Sequence, residues 1–189
     1  TEQVFGYARK LPSNRSNAYR KPGGWLEDGE SLLRGFECGN VRNELTVLDL
    51  YTRRCLDIVA GRGLTGQDVA AALGRLRFDR GLPQRIYCDN GPEFISAAMD
   101  LWAYTNGVIL DFSRRGKPTD NAAIESFNGR FREECLNVHW FQSLEDATTK
   151  IESWRQDYNE NHPHRALKGQ SPREFAERML LDAANSLSR

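Results

Sequence analysis

Residues 45–60, LTVLDLYTRRCLDIVA, give the clearest indication of the fold. In this stretch two apolar runs are separated by one polar tetrapeptide. The runs 45–50 and 55–60 are rich in aliphatic and β-branched residues, whereas residues 51–54 are YTRR. This pattern predicts two adjacent antiparallel strands joined by a short turn. The recognisable core therefore opens with a β-hairpin.

A crossover follows the hairpin. Residues 66–80 carry apolar side chains at positions i, i+3, i+4 and i+7, the spacing of an amphipathic helix, and Gly81 ends it. A buried strand is predicted directly afterwards, at 85–88. Strand, helix and strand in this order imply a right-handed connection to a parallel neighbour, so we expect an α/β protein with a mixed sheet.

Further elements are predicted on both sides of this unit. Downstream we expect a helix at 93–106, a strand at 108–111, a polar loop at 113–120, a helix at 121–135, a helix capped by Ser143 and a last helix opened by Ser171 and Pro172. These elements place the core at 45–176. Residues 1–44 are expected to be an irregular basic segment, and residues 177–189 the end of the last helix and a tail.

Composition narrows the class of protein. The chain has 189 residues, 26 basic and 26 acidic side chains, and four scattered cysteines without a CxxC pair. This argues against a disulfide framework and a zinc knuckle. The sequence offers no long apolar run for a membrane span, so we expect one domain in the reducing cytoplasm with no membrane partner. With zero formal charge, any nucleic-acid contact must come from local basic patches.

Two acidic residues lie at positions where catalytic or metal-binding side chains are expected. Asp89 closes the strand at 85–88 before an Asn-Gly-Pro turn, and Glu125 lies near the start of a predicted helix, with 35 residues between them. Carboxylates are the ligands of hard divalent cations, and a pair of such ions supports phosphodiester chemistry. From the residues alone, Asp89 is equally well a structural turn residue. An acid such as Glu125, taken alone, is more often an ordinary helix-surface residue.

The blocks around these acids resemble a known family. Residues 87–94, YCDNGPEF, look like the DNGxEF block of integrase-type (DDE, retroviral-integrase-like) transposases of bacterial insertion sequences. Residues 116–118, GKP, and 121–130, NAAIESFNGR, are similar to the block with their last acid. The separation of 35 residues equals the family's spacing. The resemblance implies the second-reading-frame product of such an element, with an RNase H-like, mixed five-stranded sheet and helices on both faces.

The resemblance also implies a metal site. Asp89 would be the second metal-binding acid and Glu125 the third, holding two Mg²⁺ ions for which Mn²⁺ can substitute. The first acid is expected in a Trp-x-x-Asp strand, and Trp25-Leu-Glu-Asp28 supplies that order with two extra residues before a segment unlike a strand. Asp28 is therefore the candidate for the first catalytic acid. Asp49 is expected to be structural.

Basic residues around Glu125 are candidates for binding DNA. Arg132 lies seven residues after Glu125 and matches the basic position that the family directs at DNA, although an ordinary surface ion pair would also explain it. Residues Arg114 and Lys117 are equally well solvated loop charges. The candidate DNA-binding residues are Arg114, Arg115, Lys117, Arg130 and Arg132.

The resemblance implies a transposase that performs metal-dependent DNA cleavage and strand transfer, and so DNA integration, transposition and recombination. Its partners would be transposon ends and target DNA, further copies of itself, and a DNA-binding protein from the first reading frame. We expect it in the prokaryotic cytoplasm, on the nucleoid when bound to DNA. One alternative is a catalytically degenerate relic that binds DNA or an intact transposase without cutting, and another is a nuclease that does not join strands.

Overall fold

The fold is built on one sheet, seen in a computed structural model that describes residues 4–8, 43–61, 63–113 and 122–187. The strands are β1 (Val4–Ala8), β2 (Asn43–Asp49), β3 (Cys55–Gly61), β4 (Arg85–Cys88) and β5 (Ile109–Phe112). Their order is β3-β2-β1-β4-β5. β2 is antiparallel to β1 and β3, whereas β4 is parallel to β1 and β5. The predicted mixed α/β class is confirmed.

The β2–β3 hairpin has the predicted form. The carboxylate of Asp49 accepts hydrogen bonds from the Tyr51 amide at 3.0 Å and the Thr52 hydroxyl at 2.6 Å. Arg53 then adopts a left-handed conformation with φ 61°. Asp49 therefore shapes the turn, the structural role expected for it.

The centre of the sheet differs from the prediction. Residues 4–8 were expected to be irregular within the segment 1–44, but they form β1 between β2 and β4. The prediction is wrong there because a five-residue strand interrupted by Gly6 has a weak local pattern. Its position is set by two flanking strands that would otherwise leave backbone groups unpaired. The crossover from β3 thus reaches β4 across two intervening strands.

Five α-helices accompany the sheet within the described residues. They are α1 (Gly66–Arg80), α2 (Ala97–Asn106), α3 (Ala122–Phe131), α4 (Leu144–Asn161) and α5 (Pro172–Leu187). α1 has the predicted bounds, closed at its start by a Thr65–Asp68 capping box. α2 begins later than predicted, because Ser96 caps it after a tight turn. α3 ends early and continues as a π-helical turn, Arg132–Leu136.

Two hydrophobic clusters cover the two faces of the sheet. One joins Leu45 and Val47 of β2 to α1 and α2, through residues such as Val69 and Met99. The other joins Leu48 and Cys55 to α3 and α4. Alternation along β2 explains this division, because successive side chains of a strand point to opposite faces. We call these surfaces the α1–α2 face and the α3–α4 face.

Among the described residues, no helix is both long and apolar enough to cross a bilayer.

Candidate active site

Asp89 lies at the carboxyl end of the sheet, directly after β4. Its Oδ1 accepts a hydrogen bond from the Gly91 amide at 3.0 Å. The neighbouring Asn90 donates from Nδ2 to the Ser113 carbonyl at 2.9 Å, which ties this turn to the end of β5. Two parallel strands therefore fix the position of Asp89 at the edge where α/β proteins place their sites.

A tight turn after Asp89 has little free space. The Gly91 carbonyl accepts from the amides of Phe94 and Ile95, both at 3.0 Å, and the Ser96 hydroxyl donates to the Glu93 carbonyl at 3.1 Å. The start of α1 packs closely against this turn, since a Cβ on Gly66 would collide with Ser96. The backbone of the turn is thus held from two sides.

Glu93 is buried beside Asp89. Only 4% of its surface is exposed, and its Oε1 has no hydrogen-bond partner. A Cβ on Gly91 would lie 2.6 Å from Glu93 Oε1 and 3.0 Å from Asp89 Oδ1, so both carboxylates border the same small space. Glu93 was not among the predicted site residues. The available indication was an acid between Pro92 and Phe94 in the YCDNGPEF block, but burial was not expected because a charged side chain is seldom fully buried.

Glu125 lies in the first turn of α3, as predicted, on the exposed side of that helix. The opposite side packs into the α3–α4 face through Ile124, Phe127 and Phe131. The loop that leads into this helix is not among the described residues. Within the described ranges, no group of three or more His, Cys, Asp or Glu side chains is arranged to hold a metal ion.

Of the other predicted site residues, only Arg130 and Arg132 can be placed. Asp28, Arg114, Arg115 and Lys117 fall outside the described residues. The central strand β1, whose Ala8 pairs with Cys88, ends beside Asp89 and has no carboxylate in its sequence VFGYA. No acid of this strand therefore joins Asp89.

Arg130 and Arg132 have different surroundings. Arg130 lies 4.0 Å from Glu134, and its charge acts on Tyr158, His162 and His164 near the end of α4. Arg132 instead begins the π-helical turn and acts on Glu44 of β2. Two residues along a helix point to nearly opposite sides, which explains why the structure does not bring the two guanidinium groups together.

Glu44 forms a second buried carboxyl site, which the sequence analysis missed. It is 1% exposed, and its Oε1 has no hydrogen-bond partner. Burial raises the pKa of Glu44 to about 8, against the opposing charge of Arg132. On the same side of β2, the Thr46 hydroxyl donates to Asn128 Oδ1 at 3.0 Å. A polar cluster thus lies under the junction of α3 and the π-helical turn.

His162 and His164 pack against α4. Their rings meet the Tyr158 ring edge-on, with centroids 5.6 and 5.2 Å away, and His162 Nε2 lies 3.5 Å from Glu134 Oε1. Burial, together with the positive charges of His162 and Arg130, lowers the pKa of His164 to about 4. Neutral, packed rings of this kind indicate a structural role.

The chain is similar to integrase core domains and to proteins of bacterial insertion elements. Two profiles, each described as an integrase core domain, match residues 32–118 and 106–172. An uncharacterized 31.7 kDa protein of insertion element IS407 from Burkholderia multivorans is 54% identical over 132 residues. An uncharacterized 39.2 kDa protein of IS476 from Xanthomonas euvesicatoria is 42% identical over 142 residues. The transposase of IS904 from Lactococcus lactis is 30% identical over 91 residues.

The matches cover much of this chain but less of the relatives. They include 70%, 75% and 48% of the chain, in the same order, and 48%, 41% and 36% of the three relatives. The chain therefore spans about half the length, or less, of these relatives. The matched regions contain Asp89, Glu93 and Glu125 within the two integrase core profiles.

Proposed function

Because this chain belongs to the integrase core family of insertion-element transposases, we propose that it forms the catalytic part of a transposase that cleaves DNA and transfers strands. The observation that carries the proposal is the placement of Asp89, fixed at the carboxyl edge of a mixed sheet by β4 and β5. The mixed sheet with helices on both faces supports an RNase H-like assignment.

The donor atoms at this edge fit a hard divalent cation. Asp89 offers a carboxylate at this edge, and the buried Oε1 of Glu93, which has no hydrogen-bond partner, borders the same space. We propose that Asp89 and Glu125 hold Mg²⁺, with Mn²⁺ as a substitute, and that two ions bind in the active protein. Such ions activate an attacking oxygen and stabilise the leaving one.

Other residues are assigned supporting roles. We propose Asp28 as the first acid, and Arg130 and Arg132, with Arg114, Arg115 and Lys117, as contacts to the DNA backbone. Basic side chains that neutralise phosphates position the duplex without reading its sequence. The partners would be the transposon ends and target DNA, bridged by more than one copy of the chain, together with a first-frame DNA-binding protein.

The test is Mg²⁺- or Mn²⁺-dependent nicking and joining of a labelled DNA duplex. The parent chain should cut, while Asp89→Asn and Glu125→Gln should fall to the background rate because each loses a ligand. Asp100→Asn is the matched control, since Asp100 is an exposed acid in the first turn of α2, and it should cut like the parent. Circular dichroism checks that every variant is folded.

A folded parent chain that neither nicks nor joins DNA, at any Mn²⁺ concentration, would overturn the catalytic proposal. Loss of cutting in Asp100→Asn as well would show that the assay responds to general charge change. Cutting without joining would instead favour a nuclease of the same fold.

A further inference from the structure

The carboxyl edge of β4 holds a second acid that the proposed function leaves unassigned. Glu93 is 4% exposed, its Oε1 has no hydrogen-bond partner, and this oxygen borders the same space as Asp89 Oδ1. We infer that Glu93 is a further carboxylate ligand of the divalent cation held by Asp89. The inference rests on the proposed function and adds a ligand that it does not contain.

The energetics of burial favour a cation at this position. A polar oxygen buried without a partner destabilises the folded state, and a carboxylate does so more than a neutral group. Native proteins rarely bury Glu unless it is paired or bound to a metal. Glu93 Oε1 has no hydrogen-bond partner, so a bound cation would satisfy this oxygen.

The turn holds Glu93 toward Asp89 rather than toward solvent. The Glu93 carbonyl accepts from Ser96, while the next two amides bond to the Gly91 carbonyl. Gly91 has no positive φ, so its backbone does not require glycine. What requires it is space, because a Cβ there would meet both carboxylates. The absence of a side chain at Gly91 thus keeps open the space that the two acids share.

The number of oxygen ligands that a divalent cation requires also favours Glu93 as a ligand. Hard divalent cations take several oxygen ligands, and carboxylates are the usual protein donors. Asp89 alone is a weak anchor, and β1 contributes no carboxylate beside it. Glu93 supplies a second oxygen donor from the same rigid turn, so these two ligands do not depend on the loop that leads to α3.

The experiment is calorimetric titration of Mn²⁺ into the full chain without DNA. Glu93→Gln keeps the size of the side chain and should weaken Mn²⁺ binding about tenfold to a hundredfold, the range produced by losing metal-site partners. Asp89→Asn should weaken it at least as much. Glu44→Gln is the matched control, because Glu44 is another buried Glu with an unpartnered Oε1, and it should bind Mn²⁺ like the parent.

The outcomes separate this inference from the proposed function. If Asp89→Asn weakens binding and Glu93→Gln does not, a water or nothing satisfies Glu93, and the inference falls while the proposed function stands. A parent that binds no Mn²⁺ overturns both. Equal weakening in Glu93→Gln and Glu44→Gln overturns the inference, since the effect would then follow from loss of any buried carboxyl group.

A second variant keeps the test decisive if Glu93→Gln fails to fold. Gly91→Ala retains both acids but places a methyl group 2.6 Å from Glu93 Oε1, so the carboxylates must shift. It should weaken Mn²⁺ binding while the circular dichroism spectrum stays that of the parent. Unchanged affinity in a folded Gly91→Ala protein would overturn the inference.

Discussion

At the scale of single residues, Glu44 makes the stability of the protein depend on pH. Burial raises its pKa from an ordinary 4.5 to about 8, so the folded protein prefers the protonated acid. Between these values the unfolded chain has already released the proton. The contribution of Glu44 to stability is therefore highest below pH 4.5, falls as the pH rises to about 8, and levels off above it.

We predict that Glu44→Gln removes this dependence. Each unit of pKa difference corresponds to 1.36 kcal/mol, so the full interval amounts to roughly 5 kcal/mol. The variant should be more stable than the parent at pH 8 and nearly equal to it at pH 5. Urea unfolding at both values measures this, with Glu145→Gln, a change of an exposed acid on α4, as the control. Parallel pH curves for parent and Glu44→Gln would contradict the prediction.

At the scale of elements, α4 is attached to the edge strand β3 through one buried amide. Asn159 Oδ1 accepts from the Cys55 amide, and Asn159 Nδ2 donates to the Cys55 carbonyl, both at 2.8 Å. Arg155 also donates to that carbonyl at 2.9 Å. An edge strand has unpaired backbone groups, and here a helix side chain satisfies those at its first residue.

We predict that Asn159→Ala lowers the free energy of unfolding by about 2 to 3 kcal/mol, because the Cys55 amide would remain buried without a partner. Asn161→Ala is the matched control on the same helix, since Asn161 is exposed and bonds only to Asp157 in the contacts described. It should change stability by less than about 0.5 kcal/mol. Chemical denaturation compares the two, and equal losses would show that the Cys55 contact is not the cause.

At the scale of the whole molecule, the two described basic residues of the proposed DNA surface differ in how well they are placed to contact DNA. Arg130 lies near Glu134 and its charge acts on His162 and His164. Arg132 instead begins the π-helical turn, and its charge acts on Glu44. π-helical turns within helices are frequent at functional sites. The DNA surface is therefore expected to continue from Glu125 to Arg132 rather than to Arg130.

We predict that Arg132→Gln weakens DNA binding and reduces the salt dependence of the binding constant by about one phosphate contact, whereas Arg130→Gln changes both much less. Fluorescence anisotropy with a labelled duplex at several salt concentrations measures both quantities. Because each variant removes one positive charge, net charge does not distinguish them. Equal effects of the two substitutions would contradict the assignment of Arg132.

The local elements and the family could be predicted from the sequence. Periodicity placed the hairpin, α1, β4 and the capped helices, because these patterns depend on residues close together in the chain. The YCDNGPEF and NAAIESFNGR blocks identified Asp89 and Glu125 as the acids to examine. The relatives and the integrase core profiles support the family, whereas the roles of the two acids stay predictions.

Contacts between residues far apart in the chain could not be predicted in this way and are seen in the folded structure. The central place of β1 follows from the pairing needs of β2 and β4, which no five-residue pattern contains. The burial of Glu44 depends on helix α3 packing over β2, and that of Glu93 on the contact between its turn and α1. Burial and pairing are properties of the assembled fold, so the sequence alone did not distinguish these two acids from ordinary surface charges.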